Sequence, residues 1–263
     1  MAIRWSVVVP YYNEVHFLPK TVASLVGQTL RPLQLIFVDN GSTDGSTACV
    51  MAQMAAHQDV DVLYLNEPRP GKINALETGL AHVTTDFVAT CDADTEYPPH
   101  YLSLCQSEFT RLGGGTVAMM ALGLSGSPHS ARAHLKRWLY PSVIAPLLSK
   151  QCHTGGYGQT FRTAALHAVG GYGSHIWHHV LEDHEVINRI LRHGKSHYHK
   201  NLWCITSDRR TASISTRWSL FERLLYHATP FAMKDWFFYS FLKKRFTHRH
   251  MDGINLRLER AWE

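Results

Sequence analysis

Hydrophobic residues fall in short runs that end on polar turns, and each of the first four runs is followed by apolar positions at helical spacing. "WSVVVP", Trp5 to Pro10, is a β-branched run closed by proline; after it, Val15, Leu18, Val22, Leu25 and Val26 recur with the period of a helix. "LQLIFVDNGSTDGS" predicts a strand ending at Asp39, a Gly/Ser/Asn turn, and an alanine-rich helix to about His57. "DVLYLN" predicts a third strand and "GKINALETGLAHV" a third helix. "DFVATCD" predicts a fourth strand, and "PPHYLSLCQSEFTRL" a helix with proline in its first turn, where a missing N–H costs nothing. This alternation predicts an α/β fold with a doubly wound, largely parallel sheet covered by helices on both faces. Past the strand "TVAMMALGLSG", the apolar and basic stretch "SPHSARAHLKRWLYPSVIAPLLSKQ" breaks the rhythm and reads as an insertion packing over the site. The glycine-rich "CHTGGYGQTFRTAALHAVGGY" returns to a short helix, "VLEDHEVINRILRHG" is a helix with Glu182 and Asp183 in its first turn, and "SHYHKNLWCITS" is a strand.

Composition narrows the class. A chain of 263 residues, 45% hydrophobic, can bury one good core. No run reaches the roughly 18 apolar residues that span a bilayer, and "MAIRWSVVVPYYNE" lacks the arrangement of a signal peptide, so a cytoplasmic protein is expected. The five cysteines are scattered without CxxC spacing, which suggests neither a disulfide framework nor a thiolate zinc site. The net charge of +5 hides an asymmetry. Up to Ser130 there are 6 Lys and Arg against 12 Asp and Glu; from Ala131 onward there are 20 against 9, together with 13 of the 18 histidines. The second half therefore suits phosphates or an anionic membrane surface, and without a recognisable nucleic-acid-binding signature no nucleic-acid partner is expected.

In doubly wound sheets ligands bind at the carboxyl ends of the strands, and three polar clusters fall there: Tyr11 to Glu14, Asp39 to Ser42, and Asp92 to Asp94. Asp92 and Asp94, two carboxylates on alternate residues of a turn, can place oxygens on Mg²⁺ or Mn²⁺ and leave the remaining positions to water and a diphosphate; alternatively Asp94 caps the next helix. Asp39 is either a turn-former or an acceptor for a nucleobase N–H. Lys72 opens a helix after a glycine, where it can meet a phosphate or ribose or simply be a surface lysine. Glu182 and Asp183 are either ordinary first-turn acids or a source of a general base. His175, His178, His179 and His184 each read as packed or solvated histidines more readily than as ligands.

With those residues in view, the chain resembles the family 2 glycosyltransferases of the GT-A fold from about Trp5 to Trp218. "VVVPYYNE", "VDNGSTDGS", "GKINALETGL", "DAD", "VGGY" and "LEDHEVINRIL" occur in the family's order at plausible separations. The resemblance implies an inverting transfer of a single sugar from a nucleoside-diphosphate sugar, UDP being expected, to a hydroxyl of a glycan or lipid-linked acceptor, with Mg²⁺ or Mn²⁺ as cofactor. It implies that Pro10, Tyr11, Glu14 and Asp39 surround the base and ribose, that Lys72 lies near ribose or phosphates, that Asp92 faces ribose and metal-bound phosphate, that Asp94 ligates the metal, and that Asp183 is the base. Residues 1–215 would form the GT-A domain, with 1–125 as the nucleotide-sugar half and 126–215 as the acceptor half; 216–263 would be a helical, basic and aromatic extension.

One departure stands out. Processive members carry QxxRW, whereas here the stretch is "ISTRW", with Ile214 in place of glutamine and Arg217 and Trp218 retained. Arg209 and Arg210 are candidates for a diphosphate clamp, the alternative being a basic surface loop, and Glu182, Arg217 and Trp218 are further candidates for diphosphate or acceptor contacts. "WLYPSVIAPLL" and "KDWFFYSFLKKRF" mix aromatic, aliphatic and basic residues as interfacial segments do, which predicts peripheral contact with the inner face of the membrane; core packing or a dimer interface would explain the same residues. The alternatives on the same architecture are a non-catalytic nucleotide-sugar or glycan binder and a sugar-nucleotide pyrophosphorylase, whose glycine-rich, arginine-containing loop after the first strand is missing from "PYYNEVHFLPK".

Overall fold

The computed structural model describes residues 4–207 and 218–252. Among these, β1 (Trp5–Tyr11), β2 (Gln34–Asp39), β3 (Asp61–Asn66), β4 (Phe87–Thr90), β5 (Thr95–Glu96), β6 (Thr116–Leu124), β7 (Gln159–Arg162) and β8 (Lys195–Thr206) form one sheet in the order β3-β2-β1-β4-β7-β6-β8-β5. The pairs β2–β3, β1–β2 and β1–β4 are parallel, with Val8 opposite both Ile36 and Thr90. β7 enters antiparallel between β4 and β6, β8 runs parallel to β6, and β5 pairs antiparallel with the end of β8. The sheet is therefore mixed: β3-β2-β1-β4 is all parallel, and beyond β4 the antiparallel pairs flank one further parallel pair, β6–β8.

The helices are α1 (Leu18–Val26), α2 (Ser46–Met54), α3 (Lys72–Leu80), α4 (Tyr101–Leu112), α5 (Ala131–Leu139), α6 (Ala145–Leu147), α7 (Thr163–Ala168), α8 (Glu182–Ile190), α9 (Leu220–Ala228) and α10 (Lys243–His248). Side chains alternate across the strands, so Trp5, Val7, Val9, Tyr11, Leu35 and Phe37 join the apolar faces of α1, α2 and α4, while Val8, Ile36 and Val38 join those of α3, α7 and α8. Burial on both faces is why these strands read as continuous apolar runs. Gly79 lets α3 lie close on the sheet: a Cβ there would stand 2.4 Å from Val8 Cγ1.

The departures from the sequence reading are local. β5 and β7 are too short and too polar to register as hydrophobic runs. α4 begins at Tyr101, so Pro98 and Pro99 precede it; their carbonyls accept from Gln28 Nε2 and Thr29 N and are tied into the preceding loop. α2 stops at Met54, where a turn closed by His57 N to Met54 O replaces the last predicted helical turn. The expected insertion is α5, a π-helical turn at Tyr140–Ile144, and α6, and it packs along β6 and β8, with Lys136 Nζ on Gly123 O and Arg137 Nε on Lys200 O. The inner side of the aromatic tail is core: Phe237, Phe238, Leu242 and Phe246 are fully buried against Ile73, Trp177 and Tyr226.

Candidate active site

The polar turns at the strand ends are wired to one another. After β1, Asn13 adopts a left-handed backbone (φ 52°) and its Oδ1 accepts from Thr43 N, while Asn13 N donates to Ser42 Oγ and Glu14 N to Ser46 Oγ. Asp39 closes its own turn, accepting from Ser42 N (2.8 Å) on one oxygen and from Thr47 Oγ1 (2.9 Å) on the other. Asn40 holds the loop that leads to α3: its Nδ2 donates to the carbonyls of Glu67 and Arg69, and its Oδ1 accepts from Gly71 N. In the same loop Glu67 is held down to about 2, chiefly by its hydrogen bonds from Arg69.

Lys72, the first residue of α3, is delivered by that clamp to the DAD turn. Its Nζ lies 2.6 Å from Asp92 Oδ1 and 3.4 Å from Glu182 Oε1, so a single ammonium bridges two motifs that are 90 residues apart in sequence. Asp92 and Asp94 are only 4% and 8% exposed. The turn that carries them is fixed from several sides: Thr21 Oγ1 donates to Ala93 O, Asp92 N donates to Tyr97 Oη, and Tyr97 Oη donates to Tyr157 O. Asp94 Oδ2 accepts from Ser207 Oγ at 2.7 Å, which joins this turn to the end of β8.

Opposite stands the amino end of α8. Leu181 precedes it with φ 68°, a left-handed conformation that costs a leucine about 1–2 kcal/mol and persists only where surrounding packing enforces it. Gln159, fully buried on β7, donates through Nε2 to Asp183 O and accepts from Tyr172 Oη, which anchors the helix start to the glycine-rich loop. That loop passes so close that a Cβ on Gly156 would lie 3.1 Å from Lys72 Nζ and 3.4 Å from Asp183 Cβ. Asp183 Oδ1 accepts from both the backbone N–H and Nδ1 of His184, whose ring packs edge-on against Trp218 and Tyr226. Burial pushes the Asp183 carboxyl up, but His184 and then Lys72 outweigh it and hold it below the usual aspartate range. Glu182 goes the other way: burial raises it, Lys72 lowers it, and the Asp183 and Asp92 charges add to the rise.

The structure thus brings Lys72, Asp92, Glu182 and Asp183 together, links Asp94 to them through its turn, and sets Trp218 against His184. Pro10 and Tyr11 are the last two residues of β1. Both are buried in β1, and the Tyr11 ring belongs to the core, its hydroxyl bonded to Thr47 Oγ1 and pushed up to about 12 by burial. Glu14 is likewise buried. Arg209, Arg210 and Arg217 lie outside the described residues. Tyr97, Tyr157, Gln159 and Ser207 are not among the candidates read from the sequence, each flanking or sitting within a polar turn; Asn40, within the Asp39 to Ser42 cluster, owes its role to its bonds with Glu67, Arg69 and Gly71.

A divalent cation fits the donor set. Among the described residues no cluster of three or more His, Cys, Asp or Glu could hold a metal, but two carboxylates at one turn are the hard-oxygen pair that leaves most of a Mg²⁺ or Mn²⁺ sphere to water and substrate phosphates. Among the described residues, no helix is long and apolar enough to cross a membrane.

The model of the glycosyl transferase family 2 matches residues 6–166. The chain is 36% identical over 97 residues, 36% of its length and 30% of the other's, to undecaprenyl-phosphate 4-deoxy-4-formamido-L-arabinose transferase of Sodalis glossinidius. It is 31% identical over 102 residues to an uncharacterized glycosyltransferase of Nostoc, 38% of this chain and 31% of that one. These matches span about a third of the curated relatives' length. Among solved structures, a mannosyltransferase from Pyrobaculum calidifontis in complex with GDP-Man and Mn²⁺ superposes with a TM-score of 0.67 at 22% identity, over 86% of this chain and 63% of that one. S. aureus TarS 1-349 in complex with UDP-GlcNAc does so with 0.60 at 17% identity, over 93% and 73%. The fold shared with these proteins is GT-A.

Proposed function

From the premise that the chain belongs to glycosyl transferase family 2, we propose that it transfers a single sugar, with inversion, from a nucleoside-diphosphate sugar to a hydroxyl of a lipid-linked or glycan acceptor. The observation that carries this reading is the meeting of Asp92, Glu182 and Asp183 around Lys72 at the carboxyl ends of the strands. Residues 1–125 bind the donor, with the turn after β1, Asp39 and Lys72 facing nucleotide and phosphates, and residues 126–215 receive the acceptor.

Asp92 and Asp94 would hold a divalent cation, which when bound supplies neutralisation of charge on the departing diphosphate. Lys72, held on Asp92 Oδ1, contributes in the same sense. Asp183 is the base. Its carboxylate is ionised at neutral pH because His184 holds it low, and it accepts the acceptor hydroxyl proton as the oxygen attacks the anomeric carbon from the face opposite the leaving group. The α8 amino terminus and the Gln159 bond to Asp183 O fix its orientation. UDP is the nucleotide proposed; a lipid-linked acceptor is supported by the name of the Sodalis relative and by the basic second half of this chain.

Thermal unfolding with a panel of nucleoside diphosphates, with and without Mn²⁺, tests the assignment. A diphosphate at 100 times its Kd adds about 2.7 kcal/mol to native-state stability. UDP with Mn²⁺ should raise Tm by roughly 5–10 °C for a chain of this size, and Asp94→Asn should abolish the metal-dependent part. Absence of a shift with every diphosphate, metal present, would overturn the reading.

A further inference from the structure

The carboxy-terminal helices bury one side of their aromatic residues and present the other. Leu220, Phe221 and Leu224 on α9 are 73%, 59% and 61% exposed, and Met233 and Trp236 are 51% and 47% exposed. Phe221 and Trp236 belong to one surface, because Phe241 links them, its ring centroid lying 6.1 Å from that of Phe221 and 5.8 Å from that of Trp236, and Leu224 follows Phe221 by one helical turn on α9. The rim is cationic. Arg223, Lys243 and Lys244 are exposed, and the Arg245 guanidinium stands 5.6 Å over the Phe241 ring. The neighbouring acids are neutralised: Glu222 is fully buried and paired with Arg245 and Arg249, and Asp235 is paired with Arg192 at 2.7 Å.

We propose that this face, formed by α9, the Trp236–Leu242 turn and the start of α10, docks the protein on an anionic lipid surface. An aromatic and aliphatic patch fringed by lysine and arginine matches the boundary between acyl chains and acidic headgroups, where rings partition into the interface and ammonium groups reach phosphates. A second copy of the chain is a poorer occupant. A two-fold contact sets the patch against its own copy and would gather two sets of Arg223, Lys243 and Lys244 at one interface. Position supports the lipid assignment. Trp218, two residues before α9, packs edge-on against His184, the partner of Asp183, and stacks on Phe237 beneath the patch. The docked surface is thereby continuous with the acceptor side of the crevice, as an acceptor anchored in a bilayer requires. The inference rests on the reading that the acceptor is lipid-linked.

The test is co-sedimentation of the full chain with phosphatidylcholine vesicles, with and without phosphatidylglycerol, at low and high salt. Binding is expected to the anionic vesicles alone and to weaken with salt. Lys243→Glu combined with Lys244→Glu should lower the partition coefficient by at least roughly thirtyfold, and Phe221→Ser combined with Trp236→Ser should lower it comparably, both with unchanged melting temperature and unchanged UDP-dependent shift. The proposal is overturned if the wild-type chain ignores anionic vesicles, if both variants bind as it does, or if light scattering shows a dimer that Phe221→Ser with Trp236→Ser dissolves. Loss of the nucleotide shift in a protein that still binds vesicles would instead remove the catalytic reading and leave the surface standing.

Discussion

Lys72→Met tests how the site is held together. The ammonium stands 2.6 Å from Asp92 Oδ1, and Coulomb's law at an effective dielectric constant of 20 gives about 6 kcal/mol of gross attraction. Much of that is offset by the desolvation of a carboxylate only 4% exposed, and the Lys72 side chain, 30% exposed, is partly screened by solvent. A net loss of about 2 kcal/mol follows, which for a chain of this length lowers Tm by about 5 °C. The loss has two partners, because Glu182 at 3.4 Å also depends on Lys72 to offset its burial. Removing the ammonium raises Glu182 further, and acidification from neutral pH should narrow the gap between variant and wild type as a protonated carboxyl ceases to need a cation. The assay is urea unfolding at pH 7.5 and pH 5 for Lys72→Met, Asp92→Asn and the double variant. A coupling energy under about 0.5 kcal/mol, the level of independent sites, would refute the idea that this pair organises the crevice.

Two further outcomes follow from the same geometry. Asp183→Asn keeps the shape of the α8 start while removing the proton acceptor, so sugar transfer measured with radiolabelled donor should fall by about 10²–10⁴ while the nucleotide-dependent Tm shift persists; loss of both together would point to misfolding instead. Glu67 is held down to about 2 in the folded chain against a usual value near 4.5, so its contribution is present above about pH 4.5 and is lost as pH falls toward 2. Glu67→Gln should therefore flatten the decline in unfolding free energy between pH 5 and about pH 2.5, and an unchanged slope would show that the Arg69 contact carries no stability.

The parallel half of the sheet was legible because burial on both faces leaves mostly apolar residues in β1, β2 and β4, and because chain reversal at their ends demands Gly, Asn, Asp and Ser. Asp39, Asp92 and Asp94 were legible because a charged side chain at or just past the end of a buried strand has no packing role to explain it, and Lys72, Glu182 and Asp183 because each opens a helix beside a glycine-rich or polar turn. β7 was hidden. Gln159 and Thr160 are fully buried polar residues that survive in the sheet through tertiary bonds, Gln159 with Asp183 O and Tyr172 Oη, and no local periodicity announces such partners. Tyr97, Tyr157 and Ser207 were hidden likewise, since the Tyr97–Tyr157 and Ser207–Asp94 hydrogen bonds span 60 and 113 positions of sequence. The aromatic tail was ambiguous for another reason. "KDWFFYSFLKKRF" supplies apolar residues all around its helical turns, and only the packed neighbours decide that Phe237 and Phe238 face Trp177 and Tyr226 while Trp236 faces out.

Glu182 and Asp183 show how adjacent like residues acquire different work. Successive residues at a helix start point about 100° apart, so the two carboxylates meet different neighbours despite sharing the same macrodipole. Glu182 turns toward Lys72 and, through it, Asp92; Asp183 turns toward its own successor, His184, and the cleft left by Gly156. Burial acts on both. It prevails for Glu182, which faces two other carboxylates across one ammonium, and fails for Asp183, which has an imidazole and a backbone N–H to itself. Under the proposed reaction placement is what selects the base: Asp183 borders the space beside Gly156 with His184 at its back, whereas the carboxylate shared with Lys72 and the Asp92 turn serves the charge balance of the donor side. Exchanging the pair, Glu182→Asp with Asp183→Glu, keeps both charges and both side-chain types yet moves each carboxylate by one methylene, and transfer should fall far more than stability does; equal activity would mean that the surroundings of the two carboxylates, not their reach, carry the whole distinction.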